Sequence, residues 1–110
     1  MTKLALWVVV ESKPGKENEL EAFLKSAQPL AEKEPGTLTW YAIRLGPGRF
    51  GIFDTFADEA GRNAHLNGEI AKALFGPGRE LLAKDPEVNK LEVMAAKGPQ
   101  ASGKSPGANQ

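Results

Sequence analysis

The chain carries one histidine, His65, and no cysteine. His65 follows the segment Arg49-Phe50-Gly51-Ile52-Phe53-Asp54-Thr55-Phe56, and Ala57-Asp58-Glu59 separates that segment from the residues around it. The aromatic-rich segment, apolar on both faces, predicts a strand. Asp58 offers an N-cap and Glu59 sets negative charge at the positive end of a helix, so a helix is expected from about Asp58. His65 then lies about two turns into it. An imidazole with an ordinary pKa of about 6.5 suits proton abstraction or hydrogen bonding to a bound anion near neutral pH. Ala60, Gly61, Ala64, His65 and Gly68 share one helical face, and all but the histidine are Gly or Ala. Such a face lies close to the sheet or leaves room beside it for a ligand. The competing reading is a histidine at the core edge, bonded to a backbone carbonyl.

Other side chains are candidates for a binding surface. Trp40 and Tyr41 are adjacent strand residues, so they point to opposite faces and only one can line a given site. A flat aromatic wall suits a planar ligand. Phe53, Asn63 and Phe75 complete the expected substrate-binding set with them, while Trp7 faces the same choice between core and site. Asp54 shares a strand face with Phe50, Ile52 and Phe56, so its carboxylate needs a partner. Arg44 or a tyrosine hydroxyl could serve, and an ion pair near a dimer seam is the favoured reading.

Composition narrows the classes. The 110 residues fit one domain. Fourteen basic and 14 acidic side chains give a net charge of zero, which offers no phosphate-binding footprint, so nucleic acid is not an expected partner. Without cysteine there are no disulfides or thiolate metal sites, and one histidine supplies no multi-histidine site. Gly46-Pro47-Gly48 and Gly76-Pro77-Gly78 lack the spacing and lysine of a nucleotide loop. The apolar run Leu4 to Val10 is too short to span a bilayer and lacks the cleavage pattern of a signal peptide, so a cytoplasmic protein with no membrane partner is expected.

The elements that must position these side chains follow in order. Leu4 to Glu11 reads as a first strand, apolar on both faces. A helix from about Lys16 to Lys33 places Leu20, Phe23, Leu24, Ala27 and Leu30 on one stripe, and Glu34-Pro35-Gly36 ends it. Thr37 to Leu45 and Arg49 to Phe56 are expected to pair as a hairpin across Gly46-Pro47-Gly48. Gly68 interrupts the second helical region, whose later turns put Ile70, Ala71, Leu74 and Phe75 inward. Arg79 to Lys84 reads as a further short turn, and Val88 to Ala96 as a fourth strand. The order predicts an α+β, ferredoxin-like βαββαβ fold with a four-stranded antiparallel sheet over residues 1–97, and a disordered tail over 98–110. One helical layer covers only one sheet face, yet three strands are apolar on both. A second copy packed on the uncovered face, a homodimer, resolves this.

Several segments then resemble the antibiotic biosynthesis monooxygenase domain family, the dimeric α/β-barrel group that includes quinol monooxygenases. They are Pro14-Gly15-Lys16, Glu34-Pro35-Gly36-Thr37-Leu38 with Tyr41, Asp54-Thr55-Phe56, and Ala64-His65-Leu66. The resemblance runs from about Leu4 to Ala96. It implies a monooxygenase that needs no metal, flavin or haem. A small phenol or quinol would bind between the sheet and the helix carrying His65, which would take the phenolic proton so that the anion reacts with dioxygen. Two departures stand out. Asn67-Gly68-Glu69 lies where many such members carry a second histidine. The haem degraders' histidine and asparagine are also missing, near Phe75 and Trp7 respectively, so haem degradation is not expected. The alternatives are a non-catalytic small-molecule-binding or stress-related homodimer, and an assembly module whose site is filled by side chains.

Overall fold

A computed structural model describes residues 1–98. The elements run β1 (Leu4–Glu11), α1 (Glu17–Ser26), α2 (Gln28–Glu32), β2 (Thr37–Gly46), β3 (Arg49–Phe56), α3 (Glu59–Leu66), α4 (Glu69–Phe75), a 3-10 turn (Pro77–Leu81) and β4 (Glu87–Glu92). The strands form one antiparallel sheet in the order β2-β3-β1-β4. This is the expected ferredoxin-like α+β arrangement. The expected tail lies, beyond Gly98, outside the described residues. No described helix is long and apolar enough to cross a membrane.

The predicted first helix is two helices. Pro29 sits in the first turn of α2, where its missing N–H costs nothing, but it cannot extend the hydrogen-bond ladder of α1. Ala27 therefore closes α1 with a bond to Leu24 and opens α2 at once. The apolar stripe survives the break: Leu20, Leu24 and Ala27 are all buried. β4 ends at Glu92, short of the expected Ala96. Val93 adds one further bond to the carbonyl of Lys3, and the chain then runs to line a cleft with Tyr41 and Phe53.

The two sheet faces differ. Leu6, Val8, Val10, Phe50, Ile52, Asp54 and Phe56 point to the helices and are buried. Val8, Val10, Phe50 and Ile52 join Leu20, Leu24, Leu74 and Leu82 in the main core. The opposite face carries Trp7, Tyr41, Ile43, Leu45, Phe53 and Leu91. Tyr41, Ile43, Leu45 and Leu91 are exposed there. Trp7 lies across Gly51, where an added Cβ would meet the indole ring at 2.2 Å.

Helix α3 is held against the turn that precedes β2 by a contact between two glycines. A Cβ on Gly61 would meet the carbonyl oxygen of Gly36 at 2.7 Å, and one on Gly36 would meet the Gly61 Cα at 2.8 Å. Neither glycine has a positive φ, so closeness and not conformation requires them. Backbone cannot swing aside as a side chain can. Gly61→Ala is therefore expected to destabilise the fold by about 1–3 kcal/mol. Gly46→Ala, whose Cβ would meet open space, should change stability far less. Urea unfolding of both variants checks this, and equal midpoints would show that the close approach is not a constraint.

Candidate functional site

Asp54 sits on β3, facing the helices, and is 1% exposed. Its cross-strand neighbours are Leu6 on β1 and Trp40 on β2. Asp58 caps α3 by accepting a 2.8 Å bond from the Gly61 N–H, as its type and place predict. That start sets the phase of the helix and turns His65 inward, 7% exposed. Its Nε2 lies 2.9 Å from Asp54 Oδ2, and its Nδ1 lies 2.7 Å from Glu34 Oε1. Glu34 comes from the turn between α2 and β2. Its Oε1 also accepts a 2.7 Å bond from the Thr37 hydroxyl. The three side chains form a row running from the middle of the sheet, through the imidazole, to the protein surface.

The expected partner of Asp54 was Arg44 or a tyrosine, near a dimer seam. The structure corrects this, because Asp54 faces the helices and meets His65. Arg44 lies farther along the hairpin on the same face, opposite Phe50, bonded to Glu21 at 2.6 Å with its guanidinium over the Phe50 ring. Asp54 and His65 lie on separate elements, so no local pattern pairs them.

The row has a definite electrostatic state. Burial by itself would lower the His65 pKa, but Asp54 and then Glu34 outweigh it and raise it to about 9. Burial raises the Asp54 carboxyl above its ordinary value, and contact with His65 offsets only part of this. Neither Asp54 oxygen has a well-aligned hydrogen-bond donor, so the short Nε2–Oδ2 approach is chiefly a charge contact. At neutral pH His65 is an imidazolium directed at two carboxylates. It has no free lone pair, so the proton-abstracting role that an ordinary pKa suggested does not follow from this geometry.

Glu34 and His65 form part of the wall of an open cleft of about 340 Å³, completed by Leu30, Pro35, Ala64 and Gly68 among others. The glutamate side chain is 19% exposed there. The space directly between sheet and helices is different. Leu6, Val8, Ile52, Ile70, Leu74 and Phe75 close around His65 and leave a gap of only about 30 Å³. The small face of α3 therefore opens outward, toward the α2–β2 turn, rather than under the helix.

The five expected binding residues are not brought together. Trp40 packs partly buried against the core on the helical side. Tyr41 and Phe53 are cross-strand neighbours on the opposite face. Asn63 is exposed, its carbonyl accepting a bond from the Asn67 side chain. Phe75 is 51% exposed at the mouth of the small gap. None of the five lines the cleft beside Glu34. In the sequence Glu34 reads as a helix end and as part of the Glu34-Pro35-Gly36-Thr37-Leu38 segment, with no sign of a place in the site. Sequence reasoning had not noticed Arg62, which is buried and donates to the carbonyls of Ala5 and Leu91 at 3.3 and 3.2 Å. Gly61, Arg62 and His65 share one inward face of α3, and that spacing was the available signal.

Solved structures give the chain its relatives. A crystal structure of a protein of unknown function from Nitrosomonas europaea is 56% identical, covers 90% of this chain and 96% of its own, and superposes with a TM-score of 0.87. The chain belongs to the same family as this Nitrosomonas protein. A provisionally named antibiotic biosynthesis monooxygenase from Chloroflexus aurantiacus is 20% identical over 87% of this chain and 97% of its own, with a TM-score of 0.69. A second protein so named, from Nitrosomonas europaea, is 13% identical over 87% of this chain and 94% of its own, with a TM-score of 0.77. At such identities the likeness is one of fold. No family model matches the chain, and no curated protein does.

The row makes stability depend on pH in a fixed direction. The folded pKa of His65, about 9, stands above its unfolded value of about 6.5. Its contribution is thus complete below pH about 6.5 and is lost as pH rises through about 9, an effect on the order of 3 kcal/mol. Thermal unfolding between pH 6 and 10 should show a fall in Tm for the wild type that is much flatter for His65→Gln. Parallel curves for the two proteins would contradict the charged imidazole.

Proposed function

We propose that the protein binds a small phenol or quinol in the cleft beside Glu34 and His65 and oxygenates it without a cofactor. The row of Glu34, His65 and Asp54, whose first two members form part of the wall of that cleft, is the observation that carries the reading. Buried charges cost stability, and apolar residues of similar size would fill the same volume at less cost. The cleft falls within the roughly 300–1,000 Å³ range of small-molecule sites. The fold shared with the provisionally named monooxygenases supports the reaction class.

The role given to His65 by the resemblance passes in this proposal to Glu34, the member of the row that reaches the cleft. A phenol of ordinary acidity, pKa about 10, does not give its proton outright to a carboxylate. It donates a hydrogen bond, which enriches the ring in electron density. As an electron passes to dioxygen the phenol becomes strongly acidic, and Glu34 takes the proton. A ring carbon then bonds one oxygen atom. The O–O bond breaks as the C–H proton leaves, giving a new carbonyl and one water, with the substrate supplying all four electrons. His65 keeps Glu34 oriented, and Asp54 keeps His65 charged.

A second reading is a non-catalytic small-molecule binder of the same fold. The clamped, charged imidazole and the closed interior favour it. Oxygen uptake with a panel of hydroquinones separates the two. The expected result is uptake that falls about tenfold to a hundredfold in Glu34→Gln, on the scale of one general base. Ligand-dependent thermal stabilisation without uptake by the wild type would establish the binder instead.

The same proposal includes a homodimer formed through the open sheet face. Tyr41, 54% exposed, with Ile43, Leu45 and Leu91, supplies the apolar surface. The cleft is built from α2, α3, α4 and the α2–β2 turn, so such a dimer leaves it accessible. Light scattering at micromolar concentration should give twice the monomer mass, and Ile43→Glu should reduce it to one. A wild-type monomer would remove the dimer.

A further inference from the structure

We infer that Glu34 makes the cleft selective for ligands that present a hydrogen-bond donor, so that it takes a reduced phenol or quinol and turns away the quinone. The inference rests on the reading of the cleft as a phenol or quinol site. The two oxygens of Glu34 are not equivalent. Oε1 already accepts from His65 Nδ1 and from the Thr37 hydroxyl. No hydrogen-bond or ion-pair partner of Oε2 is found among the described residues.

Room beside Oε2 is provided by Gly68. A Cβ on this residue would lie 3.1 Å from Oε2 and 3.2 Å from the carbonyl oxygen of Ala64. Its backbone, φ −93° and ψ −171°, is open to any residue, so conformation does not demand glycine. The missing side chain leaves the acceptor uncovered. Leu30, Pro35 and Ala64 supply apolar surface around it, while Lys33 and Glu69 stand exposed at the rim.

A carboxylate oxygen can only accept. A ligand hydroxyl donates to it, whereas a ligand carbonyl placed there would face a like partial charge and leave Oε2 dehydrated and unpaired. Oxidation of a hydroquinone to its quinone removes both O–H donors and leaves two carbonyl acceptors. A monophenol oxygenated by the proposed step likewise becomes a quinone with no O–H, so Oε2 loses its partner as that product forms, whereas a hydroquinone oxygenated to a hydroxyquinone keeps one donor. Sites built to bond a hydroxyl reject analogues lacking it far more strongly than they reject a change in size.

Calorimetric titration without oxygen tests this with tetramethylhydroquinone, its dimethyl ether and tetramethylbenzoquinone, which share one ring and differ in donors. The hydroquinone is expected to bind roughly tenfold or more tightly than either of the others. In Glu34→Gln the amide both donates and accepts, so the preference over the quinone should shrink or vanish. Gly68→Ala, with its fold checked by circular dichroism, should weaken hydroquinone binding by covering Oε2. Equal binding of hydroquinone and quinone, absence of binding by all three, or a preference unchanged in both variants would overturn the inference. Selective binding with no oxygen uptake from hydroquinones that keep a ring C–H would leave it standing and sink the oxygenase reading. Oxygen uptake with unselective binding would do the reverse.

Discussion

Asp54 is a carboxylate held almost wholly out of water in the middle of a sheet, and the arrangement around it answers to that fact. A lone buried charge is too costly to retain, so a cation has to be brought to it. His65 is that cation, and it can reach Asp54 only if α3 lies at one height and one rotation over β3. The imidazolium then presents a second N–H, which needs its own acceptor. Glu34 supplies it, and in doing so fixes the turn between α2 and β2. Three segments distant in sequence are tied by two contacts of 2.9 and 2.7 Å. The glycine contact between positions 36 and 61 makes the approach possible, since any side chain at either place would hold the turn and the helix apart.

Helix α3 has eight residues, too few to be stable by itself. What holds it is almost entirely tertiary. His65 anchors it to the centre of the sheet, and Arg62 anchors it to the β1–β4 pair, where Ala5 and Leu91 stand opposite each other. The guanidinium also meets Glu59, one turn back on the same helix, at 3.1 Å. Polar anchors about one turn apart on a short helix explain how its small-residue face can forgo tight apolar packing. The space so released is not under the helix, where Ile70, Leu74 and Phe75 have closed it, but along its outer flank.

The fold was legible because hydrophobic periodicity and turn chemistry act locally. Strands β1 and β3 are read from their own residues, the Asp58 cap and the Gly68 interruption from theirs. Pro29 could have announced the break in the first helix, but the apolar stripe runs straight through it and hid the change. The site was legible only in part. His65 and Asp54 each stood out by type, one as the single titrating imidazole and the other as a charge on an apolar face. Their pairing depends on how far α3 slides over the sheet, which no local pattern states. Glu34 was hidden for a different reason. A glutamate before Pro-Gly reads as a helix end, and nothing in its neighbours shows that its carboxylate turns back toward α3. The aromatic residues misled because strand alternation assigns faces but not functions: Tyr41 and Phe53 fell together on the open face, away from the histidine.

The position of the cleft limits what chemistry it can support. An enclosed site excludes water by its own walls, and charged groups inside it act strongly. This cleft is open, so its electrostatic power comes from the part of the row that lies behind it. Asp54 is dry and His65 nearly so, and Glu34 is the member most open to solvent. A net negative row whose inner two charges nearly cancel leaves Glu34 as a carboxylate oriented from behind and free in front. That arrangement suits holding a hydroxyl in one direction better than removing a proton from a weak acid unaided. Any proton transfer here must be driven by a change in the ligand, such as the loss of an electron, rather than by the basicity of the protein. Directional binding and oxidation-coupled deprotonation thus call for the same geometry, and the identity of the electron acceptor decides which of them the cleft performs.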